Sequence, residues 1–178
     1  LGYYFLGMEK IFMLALQIED VKQFMLQLFS KDTFDAFWLY EAKIKMSVSY
    51  VVDGKLNLDF YDQSEKELLG GRTYALWKEQ KNMLFSMIRG HKTPENMQII
   101  LMLSPTNTEK MILQNHLPIH PSDIRGLFLN IYYKQGQLSC TTGVSLKTFT
   151  LEKGLERLWE DMVEKYFGQK QIISTRIE

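Results

Sequence analysis

The residues in this 178-residue chain best suited to chemistry are three histidines, one cysteine and a serine–lysine pair. His116 and His120 stand in the run NHLPIHPSD, with Asp123 close behind. An imidazole titrates near neutral pH and ligates transition metals, so two of them beside a carboxylate suit acid–base work or a metal. The spacing matches no zinc signature, and the chain has no HExxH motif. Two surface histidines in a proline-rich loop are the simpler expectation, and no metal site is assigned. Ser145 and Lys147 lie two apart, so on a strand they share a face and a lysine sits within reach of a hydroxyl. Nothing nearby marks an oxyanion hole. The simpler expectation is a solvated strand end rich in β-favouring Thr141, Thr142 and Thr148. Hence His116, His120, Asp123, Ser145 and Lys147 are the suspects for catalysis if this is a hydrolase or transferase. His91 follows Gly90 and reads as a residue near a helix C-terminus, where a partly positive ring is favoured.

Cys140 is the only cysteine. A nucleophilic thiol needs an exposed, electropositive setting. Pairing across Gln135-Gly136 puts Tyr133 opposite Leu138, Ile131 opposite Cys140 and Leu129 opposite Thr142. That turns Cys140 onto the apolar face, where it is structural. Two stretches suit anions. Gly70-Gly71-Arg72 is one. Ser104-Pro105-Thr106-Asn107 is the other, with Ser104, Thr106 and Asn107 as candidate ligand-binding residues at a strand end where a helix starts. Neither carries a Gly-rich fingerprint or a P-loop lysine, so ordinary capping is the simpler expectation and no cofactor is implied. Lys43, Lys45, Lys78, Lys81, Arg89 and Lys92 lie among aromatic residues, as a nucleic-acid surface requires. Glu41, Asp59 and Glu79 interrupt them, which reads as a mixed-charge solvated surface.

Composition narrows the classes further. Lys plus Arg number 21 and Asp plus Glu number 21, so no net charge drives the chain toward nucleic acid or an anionic membrane. With 46% hydrophobic residues and 23 Phe, Tyr and Trp the chain reads as a globular domain with an aromatic core. One cysteine excludes an intramolecular disulfide framework and fits a reducing cytosol. Apolar runs at 1–6 and 11–16 are split by Glu9 and Lys10 and fall short of a membrane span of about 20 residues. Met8 or Met13 reads as a start, residues 1–12 as an extension, 13–168 as a single α+β domain and 169–178 as a tail.

These residues must be positioned by a regular series of elements. Phe12 to Ile18 reads as a strand, and the Ile18, Val21, Met25, Leu28, Phe29 spacing as a helix. Ala36 to Tyr61 reads as a hairpin with its tip at Asp53-Gly54. A three-residue Val52-Asp53-Gly54 loop would pair Tyr50 with Leu56, Val48 with Leu58 and Met46 with Phe60, joining the apolar faces. Arg72 to Arg89 reads as a helix with Tyr74, Trp77, Leu84 and Ile88 on its buried stripe, stopped at Gly90. Met97 to Leu103 reads as a central strand. Thr106 to Glu109 has capping-box spacing, opening a helix that ends near Asn115. A hairpin through Gln135-Gly136 follows, then a helix from Thr150 to Gly168. The order is strand, helix, hairpin, helix, repeated once, with a Leu-Trp pair in each last helix (Leu76-Trp77, Leu158-Trp159). That order is compatible with an internal β-α-β-β-α duplication. The fold class is α+β: a largely antiparallel sheet with two hairpins and helices packed on its faces.

Met13 to Leu16, the strand Gly126 to Lys134, the run Cys140 to Leu151 and the stretch Trp159-Glu160-Asp161-Met162 resemble a family of small uncharacterised Firmicutes proteins, known only as a domain of unknown function. That resemblance implies a bacterial, cytoplasmic protein over residues 13–168 and supplies no activity. The strand–helix–hairpin order also resembles the units of DNA sliding clamps, but the long Trp helices have no counterpart there. Glu19 and Asp20 would open a helix that in a clamp faces DNA, so this likeness is one of fold only. The expected function is a non-catalytic cytosolic interaction or ligand-binding module. A protein partner or a homodimer is compatible with it; nucleic acid is disfavoured and no membrane is expected. The alternative is a hydrolase or transferase with its site assembled from the 116–123 loop and the 145–147 strand end. The second alternative is nucleic-acid binding on a clamp-like fold.

Overall fold

The structure is a computed structural model and describes residues 14–90, 92–148 and 153–177. The expected start of the first strand at Phe12, the residues before it, His91 and the expected helix start at Thr150 lie outside the described residues. Seven strands form one sheet in the order β3-β2-β4-β5-β6-β1-β7, and every neighbouring pair is antiparallel. They are β1 (Ala15–Ile18), β2 (Trp38–Lys45), β3 (Ser49–Asp53), β4 (Asn96–Met102), β5 (Ile124–Lys134), β6 (Gln137–Leu146) and β7 (Ser174–Arg176). The helices are α1 (Val21–Phe29), α2 (Gln63–Leu68), α3 (Trp77–Ile88), α4 (Pro105–Gln114) and α5 (Gly154–Gln169). This is the α+β class with a largely antiparallel sheet that the sequence pattern predicts.

Alternation decides which residues enter the core. Leu14, Leu16 and Ile18 of the first strand region, Ala42 and Ile44, Ile99 and Leu101, Leu127 to Tyr133 at odd positions, and Leu138 and Cys140 face one way. Phe24 and Leu28 of α1, Trp77 and Leu84 of α3, Met111 and Ile112 of α4, and Leu155, Trp159, Val163 and Phe167 of α5 close over them. The four longer helices therefore share one core on one face. The tryptophans of α3 and α5 are buried and bonded: Trp77 Nε1–H donates to the Leu28 carbonyl at 2.8 Å and Trp159 Nε1–H to the Phe128 carbonyl at 2.9 Å. On the opposite face Trp38 and Tyr40 stack on Tyr74, and Gln98, Asn130 and Thr141 hydrogen-bond in a row.

The second hairpin matches its sequence expectation. Gln135 and Gly136 take φ of 51° and 81°, the left-handed pair that a two-residue turn requires, and Tyr133↔Leu138, Ile131↔Cys140 and Leu129↔Thr142 pair as expected. The first hairpin does not. Its strands pair Ile44 with Tyr50 and Lys45 with Ser49, so the three-residue loop is Met46–Val48 and the tip is not Asp53-Gly54. Gly54 is required for a different reason: a Cβ there would lie 1.8 Å from the Leu39 carbonyl oxygen. Gly54 N–H donates to Tyr40 O, Ala75 N–H to Gly54 O and Leu39 N–H to Ala75 O, so three backbones meet where only glycine fits. The chain then leaves the sheet through a 3-10 turn (Leu58–Phe60) and α2 before returning.

Three smaller differences follow from local chemistry. Residues 72–76 are extended, and α3 begins at Trp77, where Glu79 Oε2 accepts from the Leu76 N–H at 2.9 Å. The cap of α4 is Ser104 and not Thr106: its Oγ accepts from Asn107 N–H at 3.2 Å, and Pro105 fills the first helical position. The tail after α5 reverses at Gln171 (φ 57°), buries Ile172 and adds β7 to the sheet edge beside β1. The β-α-β-β-α order recurs in both halves, but strand partners are not equivalent. β4 pairs with β5 of its own half and with β2, whereas β1 pairs with β6 and β7.

Candidate functional cleft between two helices

A cleft of about 720 Å³ lies between α4 and α5, with the chain at Ala36 and Phe37 along one side. Two helical stripes on α5 explain it. Leu155, Trp159, Val163 and Phe167 recur every four residues and are buried in the core. Leu158, Met162 and Tyr166 recur at the same spacing one position earlier, and they line the cleft. An apolar face this wide has more than the sheet can cover, so its second stripe meets α4 across a gap. On the α4 side stand Asn107, Met111, Gln114 and Asn115, and Leu103 and Leu129 of the sheet region reach the floor.

The α5 side is held in place by hydrogen bonds. Tyr166 O–H donates to the Thr33 carbonyl, and its ring meets Phe34 edge-on and tilts against Phe37. Burial, then the charge of Asp32, pushes the Tyr166 phenol above its ordinary value, so it remains a donor at physiological pH. Gln27 Nε2–H donates to the Lys170 carbonyl at 3.0 Å, and Thr33 O–H donates to Gln27 Oε1. On the α4 side, Asn115 Nδ2–H donates to the Met111 carbonyl at 2.8 Å. The cleft has an apolar floor and a rim of amides (Asn107, Gln114, Asn115, Gln169), with Asp161 and Lys165 also on it. Such a surface removes water from an apolar body and fixes its orientation through a few polar contacts. Among the described residues lining it, none pairs a nucleophile with a base.

The residues singled out in the sequence lie in several places. Asn107 lines the cleft, so the Ser104-Pro105-Thr106-Asn107 turn contributes to the candidate site through one residue, while the Ser104 hydroxyl is engaged as a cap. His116 is exposed in a left-handed turn (φ 53°) just past α4. His120 is exposed and caps a 3-10 turn (Pro121–Asp123): Ser122 N–H donates to its Nδ1 at 3.2 Å, and Ser122 Oγ lies 2.7 Å from that nitrogen. Asp123 is exposed, and its carbonyl accepts from Lys147 N–H at 2.8 Å. The fold thus does bring the 116–123 loop beside the 145–147 strand end, with Ser145 half-buried and Lys147 exposed. Among the described residues no three His, Cys, Asp or Glu side chains gather as metal ligands would. Cys140 is buried opposite Ile131, and burial pushes its thiol well above the ordinary range. Three of the six basic residues singled out are committed elsewhere. Lys81 is buried against Asp35 and the Lys31 carbonyl, Lys43 pairs with Glu41 at 2.9 Å, and Lys45 pairs with Glu95 at 2.9 Å.

The sequence reading missed Phe37, Leu158, Met162, Lys165 and Tyr166. For Leu158, Met162 and Tyr166 the signal was the second apolar stripe of α5; Phe37 and Lys165 lie outside that stripe. At the head of α5, Glu156 is buried with Oε1 3.4 Å from Lys153 Nζ, and its Oε2 has no hydrogen-bond partner among the described residues.

A family model described as "Family of unknown function (DUF5721)" matches residues 27–174. No curated protein matches the chain, and no solved structure does. Among the described residues no helix is long and apolar enough to cross a membrane.

Proposed function

We propose that this chain, which belongs to the DUF5721 family of unknown function, is a non-catalytic binding module whose α4–α5 cleft takes a small amphipathic molecule. The observation that carries the reading is the cleft's make-up: about 720 Å³, an apolar floor containing Trp159, and amide side chains around the rim. That volume falls within the roughly 300–1,000 Å³ of small-molecule sites. The fitting ligand has an apolar body, preferably a ring that packs on Phe37, Met162 and Tyr166, and one or two groups that hydrogen-bond to amides. The setting in this reading is the bacterial cytosol, which a single reduced cysteine suits. The test is a screen of amphipathic ring compounds by amide NMR on the uniformly labelled chain. The expected result is saturable shifts gathered on the side-chain amides of Asn107, Gln114, Asn115 and Gln169. Shifts gathered instead on the other face of the sheet, or none for any compound, would reject the reading.

One observation favours a second reading, a hydrolase or transferase at the 116–123 loop and the 145–147 strand end. The hydrogen bond from Lys147 N–H to Asp123 O places those segments side by side. The histidines there are exposed, which offers no shelter from water for a reacting group. Nucleic-acid binding has less in its favour, because Lys43, Lys45 and Lys81 are already paired with carboxylates.

A further inference from the structure

The sheet ends on an open edge at β3. Ser49–Asp53 pairs with β2 on one side, and among the described residues no strand pairs with its other side. Edge strands in monomers are usually blunted by proline, lysine, a bulge or a covering segment. β3 (SYVVD) has no proline or lysine, and its pairing with β2 runs without a register shift over five residues. Val51 is 61% exposed, Val48 55% and Tyr50 40%.

We infer that β3 pairs with the β3 of a second copy of this chain, antiparallel about Val51, joining two sheets into one. The register is fixed by the backbone. Gly54 N–H points at Tyr40 O, and Val48 O accepts from Met46 N–H, so even-numbered positions aim their backbone groups at β2. Alternation leaves the N–H and C=O groups of Ser49, Val51 and Asp53 on the open side. An antiparallel pair centred on Val51 sets Val51 against Val51 and each Ser49 against the Asp53 of the other copy. Tyr50 then faces Val52 across the seam, apolar on apolar.

Charge selects this arrangement over a parallel one. On the face of the sheet bearing Val51, Ser49 lies beside Lys45 and Asp53 beside Glu41. The antiparallel register sets each Asp53 against the Ser49 hydroxyl of the other copy, twice, while Lys45 stays paired with Glu95 and Glu41 with Lys43. A parallel register would bring the two acidic ends together, which repels. The seam is short, so the dimer is a weak one, forming at high protein concentration.

The experiment is sedimentation velocity on the full chain from low micromolar to millimolar concentration, with amide hydrogen exchange at both extremes. The inference expects a reversible monomer–dimer equilibrium. It expects the Ser49, Val51 and Asp53 amides to gain protection only at high concentration, while Tyr50 and Val52 are protected throughout. Val51→Glu places like charges against each other across the seam while lying opposite Lys43 of β2 in its own copy; it is expected to weaken dimerisation by an order of magnitude or more in a monomer that still unfolds cooperatively. Val51→Thr keeps a β-branched side chain and is expected to dimerise. A chain that stays monomeric at millimolar concentration overturns the inference. So does a dimer that Val51→Glu leaves intact, or β3 protection that appears only when a different extended peptide is added.

Discussion

At the scale of single residues, the clearest electrostatic feature is Glu79. Burial raises its carboxyl pKa, but two bonds from Arg72 (2.8 and 3.1 Å), the Leu76 N–H and nearby positive charge outweigh that and hold the carboxyl below its ordinary value. A depressed carboxyl pKa stabilises the fold above the unfolded value, about 4.3 for Glu, and that contribution disappears as pH falls through the folded value. Replacing Glu79 with Gln removes the linkage. Denaturation of wild type and Glu79→Gln across pH should give a stability gap that is full at pH 7 and closes on acidification. A gap that widens below pH 4 would contradict this assignment. Cys140 makes a second residue-scale prediction. Buried at 1% exposure, it should react with a thiol reagent only as fast as the protein unfolds. Rapid stoichiometric labelling of the native chain would overturn its structural role. Its burial was legible in the sequence, because register across Gln135-Gly136 follows from alternation alone. The role of Glu79 was not, because Arg72 and Leu76 read as helix and are in fact extended.

Among the elements, the two hairpins show what a sequence can and cannot reveal. The second was legible because Gln135-Gly136 is flanked by long alternating strands and takes the left-handed conformations it advertises. The first misled because Asp53-Gly54 carries the same kind of signal for another reason. Gly54 is selected by contact with the Leu39 backbone, a partner far away in sequence. Gly54→Ala should therefore cost about 3 kcal/mol or more, at the upper end of overpacking, because backbone and not a flexible side chain must move. Gly71→Ala meets no neighbouring atom and strains only a left-handed φ of 77°, so it should cost about 1–2 kcal/mol. Equal losses in chemical denaturation would contradict the contact account. The Trp helices were legible from spacing. Trp77→Ala and Trp159→Ala should each lose about 3–5 kcal/mol, since removing a buried indole leaves a cavity and takes away the hydrogen bond its Nε1–H donates. A shift of a degree or two in melting temperature would sink that core assignment.

For the whole molecule, the repeated order of elements was readable and the sheet order was not. Local patterning sets which segments become strands, but pairing of β1 with β6 and of β2 with β4 joins residues far apart in the chain. The cleft belongs to this level as well. It exists because α4 and α5 sit on one face of the sheet and the wide apolar face of α5 is only partly covered. Asn107 was noticed in the sequence as part of a helix start; that it would line a cleft with Tyr166 depended on the tertiary arrangement. The most direct measurement is a fluorescence titration of the native chain with anilinonaphthalene sulfonate, an amphipathic ring probe, alongside Met162→Glu and Leu113→Glu. Met162 lines the cleft, whereas the exposed Leu113 of α4 does not. The binding account predicts one saturable site in wild type and Leu113→Glu, and affinity reduced tenfold or more in a Met162→Glu chain that still unfolds cooperatively. Absence of binding to the wild-type chain, or binding that Met162→Glu leaves unchanged, would contradict it.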